Sequence, residues 1–515
     1  MKRQDIRLLA LARQGDLVAR CEVGRRYLLG ADGFPQHLPS GLEHLRQAAR
    51  QDAPRAARVL AECLPLHELL RAGELATLQR AAADGSAGAQ WRLGLVLLGL
   101  GGAEADDGLA LLRRAAASEA VAEDILDAAW SAPAAQRLQA ALRRAAERAA
   151  VDAQAVALWL AERTLAQDRP AAAAAALVAA SQLGDGDAGA LSDEAAAGLV
   201  ALVRRCRDAG QPLPALPPDL LRQALEQRAA AGERDALSWL GRGLSGLPAA
   251  GLPGAVFDGQ LNVRKGAAWL LRAADAGDAE AWLLLYGLHA DHSLSVANPQ
   301  MARFFLEKAA QEGLAEAQRK LGALMLRGAA TLADSEQAIA WLHAAALQGD
   351  AHAHTLLKSL VLPVAGRDSD AAWALSMVQE HDVGLAARLA LARSFGLTKL
   401  EALSVDPVQG LRPWGLVVGR NPFIVQARLS APRAVPALDA AAQDVAQRAA
   451  TLFAQLPAGG DLRVRSLRQR RLFERLGLSE ELFFADASAS VLDTLRLGPK
   501  WAHRTRAPLA MALAA

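Results

Sequence analysis

Cysteine is nearly absent, with three in 515 residues: Cys21, Cys63 and Cys206. None forms a C-x-x-C pair, which excludes a disulfide framework and a cysteine-based zinc site. Aromatic residues make up only 4% of the chain, two of them tyrosine, and strand formers are too few for a β-sandwich. Long apolar runs are missing too. An uncharged stretch from Ala171 to Gly184 spans about 14 residues and is mostly alanine, and no uncharged run reaches the roughly 20 strongly apolar residues a bilayer span needs. At the N-terminus, Lys2, Arg3, Asp5, Arg7 and Arg13 interrupt any apolar segment, so no secretory signal is expected. Lysine is scarce at 7, against about 50 arginines, and the net charge is only +2. These absences point to a soluble cytoplasmic protein of bacterial composition.

What is abundant is alanine, about 120 residues, which has the best helix propensity and a small packing volume. Hydrophobic residues reach 52% and charged residues 22%, enough for a large buried core. The chain is long enough for three or four domains. Charge is unevenly spread: residues 385–515 hold 18 basic and 10 acidic side chains, a balance of +8, leaving −6 for the rest. The basic tail is expected to carry its own partner surface.

A repeat of 36 residues is legible. Gly277, Gly313 and Gly349 are 36 apart, and Ala281, Ala317 and Ala353 keep that register. So do the bulky Trp269, Phe305 and Trp341, and the pairs Ala273-Ala274, Ala309-Ala310 and Ala345-Ala346. Trp269, Leu270, Ala273 and Ala274 fall on one helical stripe, the spacing of a buried face. Gly277 then supplies a left-handed residue to close the helix. Asp278 is expected to cap a second helix over Ala279–Ala290, and Asp350 to repeat that role. Each unit reads as a helical hairpin that cannot bury its face alone, so neighbours must stack.

The pattern resembles Sel1-like repeats, relatives of the tetratricopeptide repeat. The first half of that motif is matched by Val23-Gly24, Tyr27 and Gly30, by Leu93-Gly94, and by Leu321-Gly322 with Gly328. The second half is matched by Trp269-Leu270, Arg272-Ala273-Ala274 and Gly277, and by Phe305-Leu306, Lys308-Ala309-Ala310 and Gly313. Leu111-Leu112 with Arg114-Ala115-Ala116, and Arg80-Ala81-Ala82 with Gly85, are weaker echoes. Two positions depart: Tyr286 replaces the glycine after leucine, and His44 stands at the tryptophan position. The resemblance implies an all-α, α/α helical-hairpin solenoid acting as a protein-binding adaptor along its groove.

Four segments are expected: N-terminal repeats at 1–118, degenerate helical hairpins at 119–230, C-terminal repeats at 231–365, and a basic domain at 366–515 of α+β or mostly α character. Arg137–Ala150, Ala153–Leu165 and a segment opening at Pro170 read as helices, the last because proline suits a first helical turn. Residues 211–218 form a stiff proline-rich spacer. The Gly/Pro-rich stretch Leu247 to Leu261 is expected to project from its repeat. In the tail, Leu416-Val417-Val418 and Phe423–Leu429 are strand candidates flanking Gly419–Pro422, with a helix over Leu438–Leu456.

Catalytic patterns do not emerge. Gly184-Asp185-Gly186-Asp187-Ala188-Gly189 has the spacing of a dinucleotide loop, but an alanine-rich helix precedes it and two aspartates would repel phosphate; a helix end and turn is the reading. His289 and His292 share a helical face, without the further ligands zinc needs. Neither a cofactor nor a metal is expected. Ala392, Gly396, Thr398 and Glu401 resemble the turn of a helix-turn-helix, with a second helix near Thr398–Leu403, though Thr398 and Glu401 also fit a capping box. The candidate partner-binding residues are Arg26, Trp91, Trp282, His289 and Arg319, as exposed positions of first helices, with Arg468 and Arg471 of the arginine run 463–475. The expected function is a non-enzymatic scaffold for protein partners. Two alternatives stand beside it: a nucleic-acid-associated regulator using the basic tail, and an enzyme with an unrecognised tail site around Trp414 and Arg420.

Overall fold

The computed structural model describes residues 3–49, 53–148, 151–183, 191–249, 251–419, 432–456, 461–495 and 498–514. The chain forms two compact units, Met1–Gly277 and Asp278–Ala515. Helices dominate both; the described strands form one small antiparallel sheet.

In the first unit four helical hairpins recur. Hairpin I pairs Leu17–Leu29 with Leu38–Ala49, and hairpin II pairs Ala87–Leu100 with Ala103–Ala116. Hairpin III pairs Ala153–Ala166 with Pro170–Gln182, and hairpin IV pairs Arg234–Leu244 with Val263–Asp275. One continuous cluster of buried residues runs from Cys21 to Ala224, so the degenerate middle segment shares a core with the first repeats. Pro170 opens its helix at the first turn, as expected.

The second unit carries hairpin V, Ala279–Ala290 with Pro299–Gln311, and hairpin VI, Ala315–Gly328 with Leu332–Leu347. Beyond the short helix Ala351–Lys358 come more helices and the sheet. Strands β1 (Leu411–Arg412), β2 (Gly415–Val418) and β3 (Arg433–Pro436) lie in that order, with Leu416 opposite Val435. β2 is the strand expected at Leu416–Val418. Its partner β3, bracketed by prolines, gives no strand signal in sequence. The candidate at Phe423–Leu429 lies outside the described residues.

The 36-residue beat corresponds to equivalent places. Leu270, Leu306 and Leu342, each following the bulky ring, are fully buried. So are Ala273, Ala309 and Ala345, and likewise Ala281, Ala317 and Ala353. Gly277, Gly313 and Gly349 take φ of 90°, 90° and 89°, a backbone that L-residues rarely adopt, and a Cβ there would meet nothing within 4 Å. These glycines are therefore required by the turn alone. Asp350 caps its helix by accepting from Ala353 N at 2.9 Å, but Asp278 makes no such bond. Asn262, Asn298 and Thr331 cap the second helices of hairpins IV, V and VI.

A different set of glycines sets how closely each hairpin closes. A Cβ on Gly24 would lie 2.6 Å from Leu45 Cγ and 3.2 Å from the Gly41 carbonyl. One on Gly94 would lie 2.9 Å from the Gly108 carbonyl, and one on Gly241 3.1 Å from that of Gly266. In hairpin VI the partner is alanine: a Cβ on Gly322 would meet the Ala338 carbonyl at 2.9 Å. The leucine-glycine step of the motif is thus the point where two backbones touch. His44, at the tryptophan position of hairpin I, keeps the flat-ring role by stacking on Tyr27 at 6.1 Å between centroids.

The stretch between the helices of hairpin IV does not simply project. Leu261 is exposed, but Val256 and Phe257 are buried, and the Phe257 ring fills the space that a side chain on Gly243 would take. Two apolar residues within an otherwise Gly/Pro-rich loop pull it back onto its own hairpin.

Candidate functional site

Tyr286 stands in hairpin V where hairpins I, II, IV and VI have their contact glycine; the first helix of hairpin III carries no glycine. A phenol cannot enter a backbone-to-backbone crossing, and here it lines a cleft of about 470 Å³ instead. The first helix of hairpin V contributes Tyr286 and Ala290, its second helix Ala302, Arg303 and Leu306, and the first helix of hairpin VI Leu321, Leu324, Met325 and Arg327; His292 lies in the intervening turn. The floor is apolar and the margin is cationic. Arg303 is paired with Glu307 at 2.9 Å, both exposed, whereas Arg327 has no ion pair among the described residues. Burial pushes the Tyr286 phenol above its ordinary value, with Glu316 adding to that and Arg327 opposing it, so at neutral pH it is a neutral donor and acceptor. Such a cleft can seat an apolar side chain with a carboxylate beside it.

The first unit has a cleft of about 430 Å³ along the first helix of hairpin III and the following helix Asp193–Asp208. Its lining includes Trp159, Leu158 and Leu165, with Glu162 and Glu194 as well as Arg71, so its balance is acidic rather than basic.

The residues nominated as exposed contacts of first helices are mostly not exposed. Trp91 is 5% and Trp282 is 9% accessible. Trp282 stacks on Phe305 at 5.9 Å, and His289 packs against the same ring at 5.1 Å, so both serve the core of hairpin V. Burial lowers the His289 imidazole below its ordinary value. Arg319 is 3% accessible: its guanidinium pairs with Asp350 at 2.9 Å and donates to the Ala512 carbonyl. Arg26 is half-buried and engaged by Glu22 at 2.7 Å and Asp5 at 3.1 Å. Spacing identified these helices correctly but not which of their faces meet neighbours. Arg468 and Arg471 are exposed.

Arg319 is covered by the chain's own C-terminal helices, Gly498–Arg504 and Arg506–Ala514, which pack on Ala315–Gly328 and Ala351–Lys358. Trp501 is fully buried there and donates from Nε1 to Ser359 Oγ at 3.0 Å. The first-helix face at the end of the repeats is therefore already filled, while the cleft at Tyr286 is open.

The segment resembling a helix-turn-helix takes another role. Gly396 closes the helix Val383–Phe395 in the left-handed conformation, and Thr398 and Glu401 form a reciprocal capping box. The second helix, Lys399–Ser404, has six residues, and Glu401, Ala402, Leu403 and Ser404 are buried. It presents too little surface to enter a DNA groove. Glu401 instead meets Arg433 of β3, Nε to Oε1 at 2.7 Å and Nη2 to Oε2 at 3.1 Å. Trp414 is a core residue, and Arg420 and the glycine-spaced segment 184–189 lie outside the described residues. Among the described residues no group of three or more His, Cys, Asp or Glu is placed to hold a metal, and no helix is long and apolar enough to cross a membrane.

The Sel1 repeat family model matches residues 17–52, 87–118, 252–278, 281–314 and 315–350. These segments correspond to hairpins I and II, the second helix of IV, and hairpins V and VI. A solved structure of a protective antigen present in uropathogenic Escherichia coli strains, displaying an SLR fold, is 18% identical over 94% of this chain and 98% of its own, with a TM-score of 0.29. A Sel1 repeat protein from Oxalobacter formigenes is 20% identical over 69% of this chain and 90% of its own, with a TM-score of 0.26. No curated protein matches the chain.

Proposed function

We propose that this chain, in which five segments match the Sel1 repeat model, is a non-enzymatic adaptor of the bacterial cytoplasm that holds a protein partner in the cleft at Tyr286. The observation that carries this reading is the cleft itself. It forms where the repeat's contact glycine is replaced, and it combines an apolar floor with Arg303 and Arg327 at its margin. A partner segment with a leucine-sized side chain next to an aspartate or glutamate satisfies both features. Apolar burial supplies affinity and the arginines supply orientation. The three free cysteines, two of them buried, suit a reducing compartment.

The test is affinity capture from the native cell with the full chain, followed by mass spectrometry, alongside Leu324→Glu and Arg327→Glu variants. A protein partner recovered by the wild type and lost with both variants supports the reading. A partner retained by both variants, or none recovered at all, refutes it.

A further inference from the structure

The arginine run of the tail is one face of an open groove, and its composition favours one kind of occupant. The helix Leu462–Leu476 buries Leu462, Gln469, Leu472 and Phe473 against its own unit. Its outer side carries Val464 at 46% and Leu467 at 47% exposure, flanked by Arg468, Arg471 and Arg475. These residues, with His381 and Asp382 from the turn before Val383–Phe395, bound a groove of about 810 Å³.

Positions 464, 467, 468, 471 and 475 follow the three-and-four spacing of one helical stripe. Within this stripe the apolar residues stand at one end and the cations continue along it. Among the described residues that line the groove, one acidic group faces them: Asp382 lies 3.5 Å from Arg468, whose side chain is 61% exposed. Arg471 and Arg475 have no ion pair among the described residues, whereas the neighbouring Arg470 is satisfied by Glu474 at 2.9 Å.

We propose that this groove docks an acidic amphipathic helix of a partner protein. Its leucine-type stripe would cover Val464 and Leu467, and its carboxylates would face Arg468, Arg471 and Arg475. Charge complementarity selects an anionic occupant. The exposed valine and leucine select one with an apolar face, because a phosphodiester backbone gains nothing from covering them. Laying a helix alongside a helix matches the length of the stripe and is a common mode of peptide recognition. This surface is separate from the cleft at Tyr286, and the inference stands without that reading.

The test uses the full chain and a fluorescein-labelled synthetic peptide of about 16 residues, helical, with leucines at three-and-four spacing and glutamates beside them. A scrambled peptide of the same composition and a single-stranded DNA of about 20 nucleotides serve as competitors in fluorescence anisotropy. The helix is expected to bind at least about tenfold more tightly than the scrambled peptide, and to lose about tenfold with Arg471→Glu/Arg475→Glu and again with Val464→Ser/Leu467→Ser. All four positions are exposed, so circular dichroism of the variants should match the wild type. Equal binding of the scrambled peptide, indifference to the Val464/Leu467 variant, tighter binding of DNA, or no binding of the helix would each overturn the proposal.

Discussion

Replacing Glu401 by glutamine tests the tail's architecture most sharply. Arg433 is completely buried, and its guanidinium is held by both Glu401 oxygens and, at 3.3 Å each, by the carbonyls of Leu360 and Gly396. Glu401→Gln keeps the shape and part of the hydrogen bonding but removes the countercharge. Breaking one partner of such a pair typically costs about 3–5 kcal/mol, because the remaining charge stays uncompensated. The two carbonyls soften the loss, so about 3 kcal/mol is expected here. Arg433→Met should cost a similar amount, since Glu401 would keep only its bonds from Thr398 N and Oγ. The double variant should cost clearly less than the sum, with a coupling of about 2 kcal/mol. Because a chain of two units need not unfold in one step, hydrogen exchange read on peptides covering Leu397–Pro436 is the suitable assay. A loss of 3 kcal/mol corresponds to more than about a hundredfold faster opening there. The pH dependence has a definite sign. Burial pushes the Glu401 carboxyl up, but Arg433 and the Thr398 bonds outweigh it and hold it below its ordinary value of 4.5. The pair's contribution is therefore full above that value and is lost as pH falls through the lower folded one, and Glu401→Gln should flatten this acid limb. Additive single variants, or an acid limb unchanged by Glu401→Gln, would refute the reasoning.

Gly313→Ala should cost about 1–2 kcal/mol through its positive φ alone, since no atom obstructs the new methyl, and Gly313→Asn should cost less; urea midpoints compare them. Gly322→Leu should be far more damaging than Gly313→Ala, because its side chain would be driven into Ala338 and Leu342; failure to fold hairpin VI should show as lost protection over 315–350. Trp501→Ala should loosen the C-terminal helices by about 3–5 kcal/mol and render residues after Lys500 sensitive to brief proteolysis, with hairpin V unaffected. The Glu22 carboxyl is held down to about 2 by Arg25 and, despite some burial, by Arg26. Its contribution is thus complete above the usual carboxylate value and fades only toward pH 2, and Glu22→Gln should lower the wild type's thermal midpoint at pH 7 more than at pH 2.

Local rules made much of this fold legible. The 36-residue beat located the helices of hairpins V and VI because each helix must repeat the same buried stripe to stack on its neighbour, but it did not give their pairing: Ala279–Ala290, expected as a second helix, is the first helix of a hairpin with Pro299–Gln311. Gly277, Gly313 and Gly349 could be read as turn residues because their conformation is a property of a few adjacent peptide units. The capping box at Thr398 and Glu401 is equally local. Tyr286 was visible as a departure from the repeat, and that departure marks the open cleft. The sequence holds no measure of which residue would face it across the crossing.

Other features depend on residues far apart in the chain. Trp91, Trp282 and Arg319 look like surface positions on their own helices; burial came from packing against other helices, and for Arg319 from a carbonyl near the chain's end. Strand β3 exists because Gly415–Val418 needs a hydrogen-bonding partner, not because Arg433–Pro436 favours extension. The Glu401–Arg433 pair joins a helix cap to that strand across 32 residues. Periodicity and capping act within a turn or two of helix, so the linear chain determines them by itself. Burial, charge pairing and open clefts are set by which distant segments meet, and only the packed structure decides that.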